Sequence, residues 1–83
     1  MNHASLSAVA AEIGCNVHDV LTQALGAALR SLEEKINSAA DSTEGFALQG
    51  VSHDHSVAVT ESGAHVSVVV SIVALYAYTA GSA

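Results

Sequence analysis

Three histidines in the second half of the chain form the pattern best suited to chemistry. His53 and His55 flank Asp54 in the string HDH, and His65 follows further along the chain. Side chains two positions apart on a β-strand lie on the same face of the sheet. Imidazole is a common ligand of zinc and copper, which take three or four ligands in proteins. The histidines therefore indicate a site for Zn²⁺ or another divalent transition metal, with His53, His55 and His65 as ligands.

Two other interpretations of the histidines stay open. They can be polar residues that mark the start of a strand, or they can form a pH-sensitive interface, because histidine titrates near neutrality. The strand register predicted below places His65 on the face opposite His55. Metal binding by all three would need a slipped register or a second copy of the chain.

The chain offers little else for catalysis. Cys15 lies where a helix is predicted to begin and His18 follows one turn later, but a cysteine in such a corner more often packs as a small hydrophobic residue. No acid–base pair at a suitable spacing and no glycine-rich phosphate-binding string accompanies them. We therefore expect a protein that is not an enzyme and that needs no cofactor unless the histidines hold a metal.

Length and composition limit how the chain can be stabilised. The 83 residues make one domain at most, and a chain this short buries a small share of its surface. Cys15 is the single cysteine, so no disulfide forms within the chain; a metal or oligomerisation is the usual substitute. Hydrophobic residues make up 51% but aromatic ones only 4%, which favours repetitive close packing over a deep ligand pocket.

Charge excludes several classes of partner. The net charge is −6, and Arg30 and Lys35 are the only lysine or arginine residues. Nucleic acids and anionic membranes need clustered cations, so neither is expected as a partner. The N-terminal string lacks the basic and long apolar regions of a signal peptide, which predicts a cytoplasmic protein.

The first part of the chain, residues 1–43, is predicted to be helical. SLSAVAAEIG predicts a short helix from Leu6 to Ile13 that ends at Gly14. The next segment predicts a long amphipathic helix capped by Asn16, and the two together resemble a helix-turn-helix without the cations that DNA binding requires. The apolar stripe of the long helix comprises Val17, Val20, Leu21, Ala24, Leu25, Ala28, Leu29, Leu32 and Ile36.

The second part, residues 45–80, changes to a period of two. HSVAVT and HVSVVVSIVALYAY predict an antiparallel hairpin with its turn at Ser62-Gly63 and a bulge near Gly50. His55 then lies opposite Val70, Val57 opposite Val68 and Val59 opposite Val66. One face carries Val57, Val59, Val66, Val68, Val70 and Ile72, and the other carries Ala58, Thr60, His65, Ser67, Val69 and Ser71.

A membrane helix over residues 64–80 is the competing interpretation of this tail. The segment is at the short end of the spanning range and has no cationic flank. Serine and valine alternate within it, which favours a strand. A membrane-active or tail-anchored protein is kept as an alternative.

The sequence therefore predicts a single α+β domain over residues 1–83, with a short helix, a long amphipathic helix and a C-terminal β-hairpin. A two-stranded ribbon with open edges is not independently stable, so we expect other copies to complete the sheet in a ring, shell or filament. The predicted function is a structural, self-assembling subunit of a homo-oligomer, and the alternative is a small metal- or ligand-binding module using the His53–His65 region. The predicted interface between copies comprises Val69, Val73, Leu75, Tyr76 and Tyr78.

Overall fold

The computed structural model describes residues 2–60 and 63–79 and shows an α+β fold. Strand β1 (Asn2–Gly14) is followed by helix α1 (Val17–Ser42), strand β2 (Ala47–Val59) and strand β3 (Val66–Tyr78). The strands form an antiparallel sheet in the order β1-β3-β2, so the last strand in the chain is central. Helix α1 packs across β1 and β3.

The predicted short helix from Leu6 to Ile13 is wrong, because these residues lie within β1. Their apolar positions fit a period of two as well as a helical period, and a short segment cannot distinguish them. The segment forms a strand because β3 offers it a free edge. The two strands pair from Asn2↔Tyr78 to Gly14↔Val66. Strand pairing over 13 residues thus overrides the helix preference of alanine.

Three other expectations depended on that helix and are not met. The resemblance to a helix-turn-helix disappears, and the division into a helical part (1–43) and a β part (45–80) misplaces the first strand. Gly14 does not end a helix in the left-handed conformation. Instead, a Cβ at Gly14 would lie 2.7 Å from a methyl group of Val20, so glycine lets the end of β1 approach the first turn of α1.

The long helix is confirmed. Its N-cap is Asn16, whose side-chain oxygen accepts a hydrogen bond from the backbone N–H of Asp19 at 3.2 Å. Val20, Ala24, Ala28 and Leu32 are buried and recur at every fourth position, whereas Val17 and Leu29 are exposed. The apolar stripe is therefore narrower than predicted, because the helix rests on two strands only.

Replacing Asn16 with alanine removes this capping bond. We expect the free energy of unfolding to fall by about 1 kcal/mol, because one N–H of the first turn loses its acceptor. Urea denaturation followed by circular dichroism measures the change. Asn16→Asp is the matched control, since it keeps the acceptor oxygen; an equal loss in both variants would contradict the capping role.

The hairpin of β2 and β3 is confirmed in its register. Val59 pairs with Val66, Val57 with Val68 and His55 with Val70, and a bulge interrupts the ladder between Leu48 and Gly50. At the turn, Thr60 N donates to the carbonyl of His65 at 3.0 Å and Gly63 adopts a φ of 72°. Ser62, at the predicted turn, lies outside the described residues.

The core lies between α1 and the helix-facing side of β1 and β3. A helix is about 10 Å wide and strands are about 4.8 Å apart, so one helix covers two strands and no more. Strand β2 consequently lies beyond the edge of the helix. Among the described residues, the buried members of this core are Ala8, Val20, Ala24, Ala28, Leu32, Val66, Val68, Val70, Ile72 and Ala74; Ala77 is also buried but lies outside this cluster.

Candidate self-association surfaces

Strand β2 is exposed at every position from Ala47 to Val59. Its helix-side residues lie opposite buried partners of β3, as Val57 does with Val68 and Val51 with Ala74. They remain uncovered because α1 does not reach them. Leu48, Val51, Val57 and Val59 are 47%, 51%, 44% and 64% exposed. We call these four side chains the β2 stripe.

The sheet face turned away from α1, which we call the outer face, is a second exposed apolar surface. Of the predicted interface residues, Val69, Val73 and Leu75 of β3 lie on it and are exposed. Val9 and Ile13 of β1 join them, since their cross-strand partners Ser71 and Ser67 face the same way. The N-terminal strand had been predicted as a helix, so these two residues were missed; the alternation in SLSAVAAEI was the signal that could have found them.

The outer face is built from small side chains. On β1 and β3 it carries aliphatic residues interspersed with serine, including Ser7 and Ser71, whereas on β2 it carries Ser52, Asp54, Ser56 and Ala58. Beside the bulge an open depression of about 380 Å³ is lined by Gly50, Ser52, Val73 and Leu75 together with Val51 of the β2 stripe. The part of the outer face on β1 and β3, which is apolar apart from serine, suits packing against another sheet.

Tyr76 and Tyr78, the other two predicted interface residues, lie apart from this patch. They continue the helix-facing alternation of β3 and are half-buried. Their ring centroids are 5.8 Å apart, and Phe46 lies 4.9 Å from Tyr76. The three rings form a small aromatic group at one end of the sheet, so the five predicted residues do not share one surface.

The two edges of the sheet differ. On the β1 side, the ammonium group of Lys35 donates to the backbone carbonyl of Ser7 at 2.6 Å. A lysine against an edge strand discourages pairing with another strand. The charged residue of β2 is Asp54, whose carboxylate accepts from the backbone N–H of His55 at 2.9 Å. The β2 edge therefore carries no lysine or arginine.

The predicted metal ligands are only partly brought together. His53 and His55 lie on the same face of β2, with stacked rings whose centroids are 6.4 Å apart. His65 lies opposite Thr60, which is five positions beyond His55 and about 16 Å along the strand. Within residues 2–60 and 63–79, no group of three metal-ligating side chains is close enough to hold an ion.

The other residues considered for chemistry are dispersed. Cys15 is exposed between β1 and α1 rather than packed as a small hydrophobic residue. His18 is also exposed, and its backbone carbonyl accepts from the Thr22 hydroxyl at 2.8 Å.

The segment proposed as an alternative membrane helix has a different structure. Residues 66–78 of the 64–80 segment form β3, so a helical span there is wrong. Among residues 2–60 and 63–79, α1 is the one helix, and its sequence is not apolar enough to cross a bilayer.

Comparisons of the chain with protein-family models, curated proteins and solved structures find no significant match.

Proposed function

We propose that the protein is a structural, self-assembling subunit of a homo-oligomer, joined through the β2 edge and the outer face. The observation that carries this proposal is the exposure of β2. One helix covers two strands of a three-stranded sheet, which leaves the 13 residues of β2 exposed on both faces and along one edge. Edge strands with exposed apolar side chains pair readily with other strands.

The shape of the chain supports the proposal. The radius of gyration is 16.2 Å and the extents are 58 × 17 × 16 Å, whereas a compact chain of this length has a radius of gyration of about 12 Å. The accessible surface is 5318 Å², against about 4,600 Å² for a typical monomer of this mass. The excess surface includes the β2 stripe and the outer face, which contact between copies would bury.

The outer face is large enough for a stable contact. Three strands of 13 residues span roughly 43 by 14 Å, or about 600 Å². Two such faces in contact bury about 1,200 Å², the lower limit for specific interfaces. Adding the β2 edge and its stripe raises the buried area further, so the two contacts together are sufficient for an assembly.

The molar mass in solution tests the proposal. We expect size-exclusion chromatography with light scattering, at about 50 μM chain in EDTA, to give a multiple of the 8.3 kDa chain mass, because apolar burial drives the association. Electron microscopy of the same sample then distinguishes a ring, a shell or a filament. A stable mass of one chain would contradict the proposal.

Charge substitutions identify the contacts. Val57→Lys on the β2 stripe and Val73→Lys on the outer face place an ammonium group at positions that are 44% and 42% exposed in a single copy. Each should lower the mass of the assembly, because burying an unpaired charge is costly. Gln23→Lys on the exposed side of α1 is the matched control. An unchanged mass in both valine variants would exclude these surfaces as contacts.

A further inference from the structure

The backbone hydrogen-bonding groups of β2 point alternately toward β3 and toward the open edge. The Thr60 N–H donates to the His65 carbonyl at 3.0 Å, so the backbone of Thr60 faces β3. Successive residues of an antiparallel strand alternate in this respect, and the ladder is regular from Val59 back to Val51. The odd-numbered residues from Val51 to Val59 therefore direct their N–H and C=O groups to the open edge. Their side chains lie on the helix-facing side of the sheet, opposite buried residues of β3.

A side chain already binds one of these outward groups. The His55 N–H donates to the Asp54 carboxylate at 2.9 Å, which agrees with the alternation, because an amide that faced β3 would bond within the ladder. The carboxylate takes the hydrogen bond that a carbonyl group of an added strand would accept. Asp54 must therefore leave this amide before another strand can pair with the middle of β2.

The outward groups limit how the β2 edges of two copies can join. Each strand offers its odd-numbered residues, so an antiparallel pair places odd-numbered residues opposite one another. The regular stretch lies between the bulge at Gly50 and the turn that follows Val59, and its midpoint is His55. A two-fold axis at His55 pairs every outward residue of this stretch, whereas an axis at His53 sets Val57 against the bulge.

The apolar side chains fit an axis at His55. Residues directly opposite each other lie on the same face of the sheet. Val51 then lies opposite Val59 of the second copy, and His53 lies opposite Val57. The helix-facing sides of the two sheets become continuous, and the β2 stripes of the two copies meet.

The charges favour the same register. With the axis at His55, Asp54 lies opposite Ser56 of the second copy on the outer face. An axis at Asp54 would instead place two carboxylates opposite one another, which destabilises a strand pair. The β1 edge is a poorer partner for β2, because the ammonium group of Lys35 lies against it.

We propose that two copies pair through β2 in the antiparallel register centred on His55, and that Asp54 restrains this pairing by binding the His55 amide. This inference rests on the proposed self-association and goes beyond it by naming the partner strand, the register and the residue that opposes the contact. In this register each His55 N–H donates to the His55 carbonyl of the second copy. Both amides that Asp54 binds therefore lie at the centre of the pair.

Disulfide cross-linking tests the register in a Cys15→Ser background, which removes the exposed native thiol. Cα atoms of directly opposite, hydrogen-bonded residues are about 5.5 Å apart, which is within the range of a disulfide. We therefore expect His55→Cys to form a covalent dimer in a redox buffer at equilibrium. His53→Cys is the matched control and should not cross-link, because its counterpart is displaced by about 13 Å along the second strand.

The dissociation constant of the dimer tests the role of Asp54. A light-scattering dilution series measures it in a Val73→Lys background, which weakens the outer-face contact. We expect Asp54→Ala to lower the dissociation constant by at least about 10-fold, because two hydrogen bonds to carboxylate no longer have to be broken for each dimer. Asp54→Asn keeps an acceptor oxygen and should lower the constant by less. Ser56→Ala, on the same face of β2, is the matched control and should leave it unchanged.

The outcomes separate this inference from the proposed function. Cross-linking of His53→Cys as readily as His55→Cys would overturn the register, and an oligomer that cross-links in neither variant would overturn pairing through β2; both leave self-association intact. A Val73→Lys chain that stays monomeric even with Asp54→Ala would also overturn that pairing. Equal dissociation constants with and without Asp54→Ala, or equal gains in Asp54→Ala and Asp54→Asn, would overturn the restraint by the Asp54 hydrogen bond. A single-chain mass in the unaltered protein and in every variant would overturn both proposals.

Discussion

Replacing Leu32 with alanine is expected to lower the free energy of unfolding by about 3 kcal/mol. Leu32 is 2% exposed and is among the largest fully buried side chains of the core. Many of its neighbours are alanine and valine, which cannot expand to fill the cavity that alanine would leave. A chain of 83 residues has a total stability of about 4–12 kcal/mol, so this loss is a large fraction of the whole.

Leu29→Ala is the matched control for Leu32→Ala. Leu29 lies on the same helix but is 46% exposed, so the same change in chemistry removes less buried surface and should cost less than about 1 kcal/mol. Urea unfolding of both variants must be compared at one protein concentration, since association stabilises the folded state by mass action. Equal losses in the two variants would contradict the assignment of Leu32 to the core.

Replacing Gly45 with alanine is expected to cost about 2–4 kcal/mol. Gly45 has a φ of 72° in the connection between α1 and β2, and a non-glycine residue there costs about 1–2 kcal/mol. An added Cβ would also overlap the Thr79 hydroxyl and lie 3.0 Å from the Thr79 backbone nitrogen. That nitrogen donates to the Glu44 carbonyl at 3.0 Å, so the clash strains the contact that closes this end of the sheet.

Gly63→Ala separates backbone strain from the clash. Gly63 has the same φ of 72°, but an added Cβ would meet no atom within 4 Å in the part of the chain that the structure describes. We expect Gly63→Ala to cost about 1–2 kcal/mol, less than Gly45→Ala. Thermal unfolding followed by circular dichroism measures both. An equal shift in melting temperature would show that Thr79 moves away from the added Cβ without loss of stability.

The proposed self-association depends on one geometric fact, which is that α1 stops short of β2. That leaves the β2 edge and the apolar β2 stripe free for contact with a second copy.

The sequence alone predicted the elements with strong local signals. The spacing of apolar residues located α1, and Asn16 was recognised as its cap. The alternation of valine with polar residues determined the register of β2 against β3, because a slip of one residue would have mixed the two faces. The change of parity near Gly50 located the bulge for the same reason.

The placement of β1 depended on the tertiary structure. Its serine and alanine residues satisfy a helix and a strand equally well over so short a segment, and only the unpaired edge of β3 distinguishes the two. Because β1 pairs with β3, both edges of this central strand are paired within one chain. This pairing also left β1 and β2 as the two edges of the sheet.

Local pattern determined which residues share a face of an element, since side-chain direction follows from the period of the backbone. It could not determine which strand the helix would cover, because that depends on the order of strands in the sheet and on the width of one helix. The exposure of β2, with its valines and paired histidines, is therefore a property of the assembled fold rather than of any one segment.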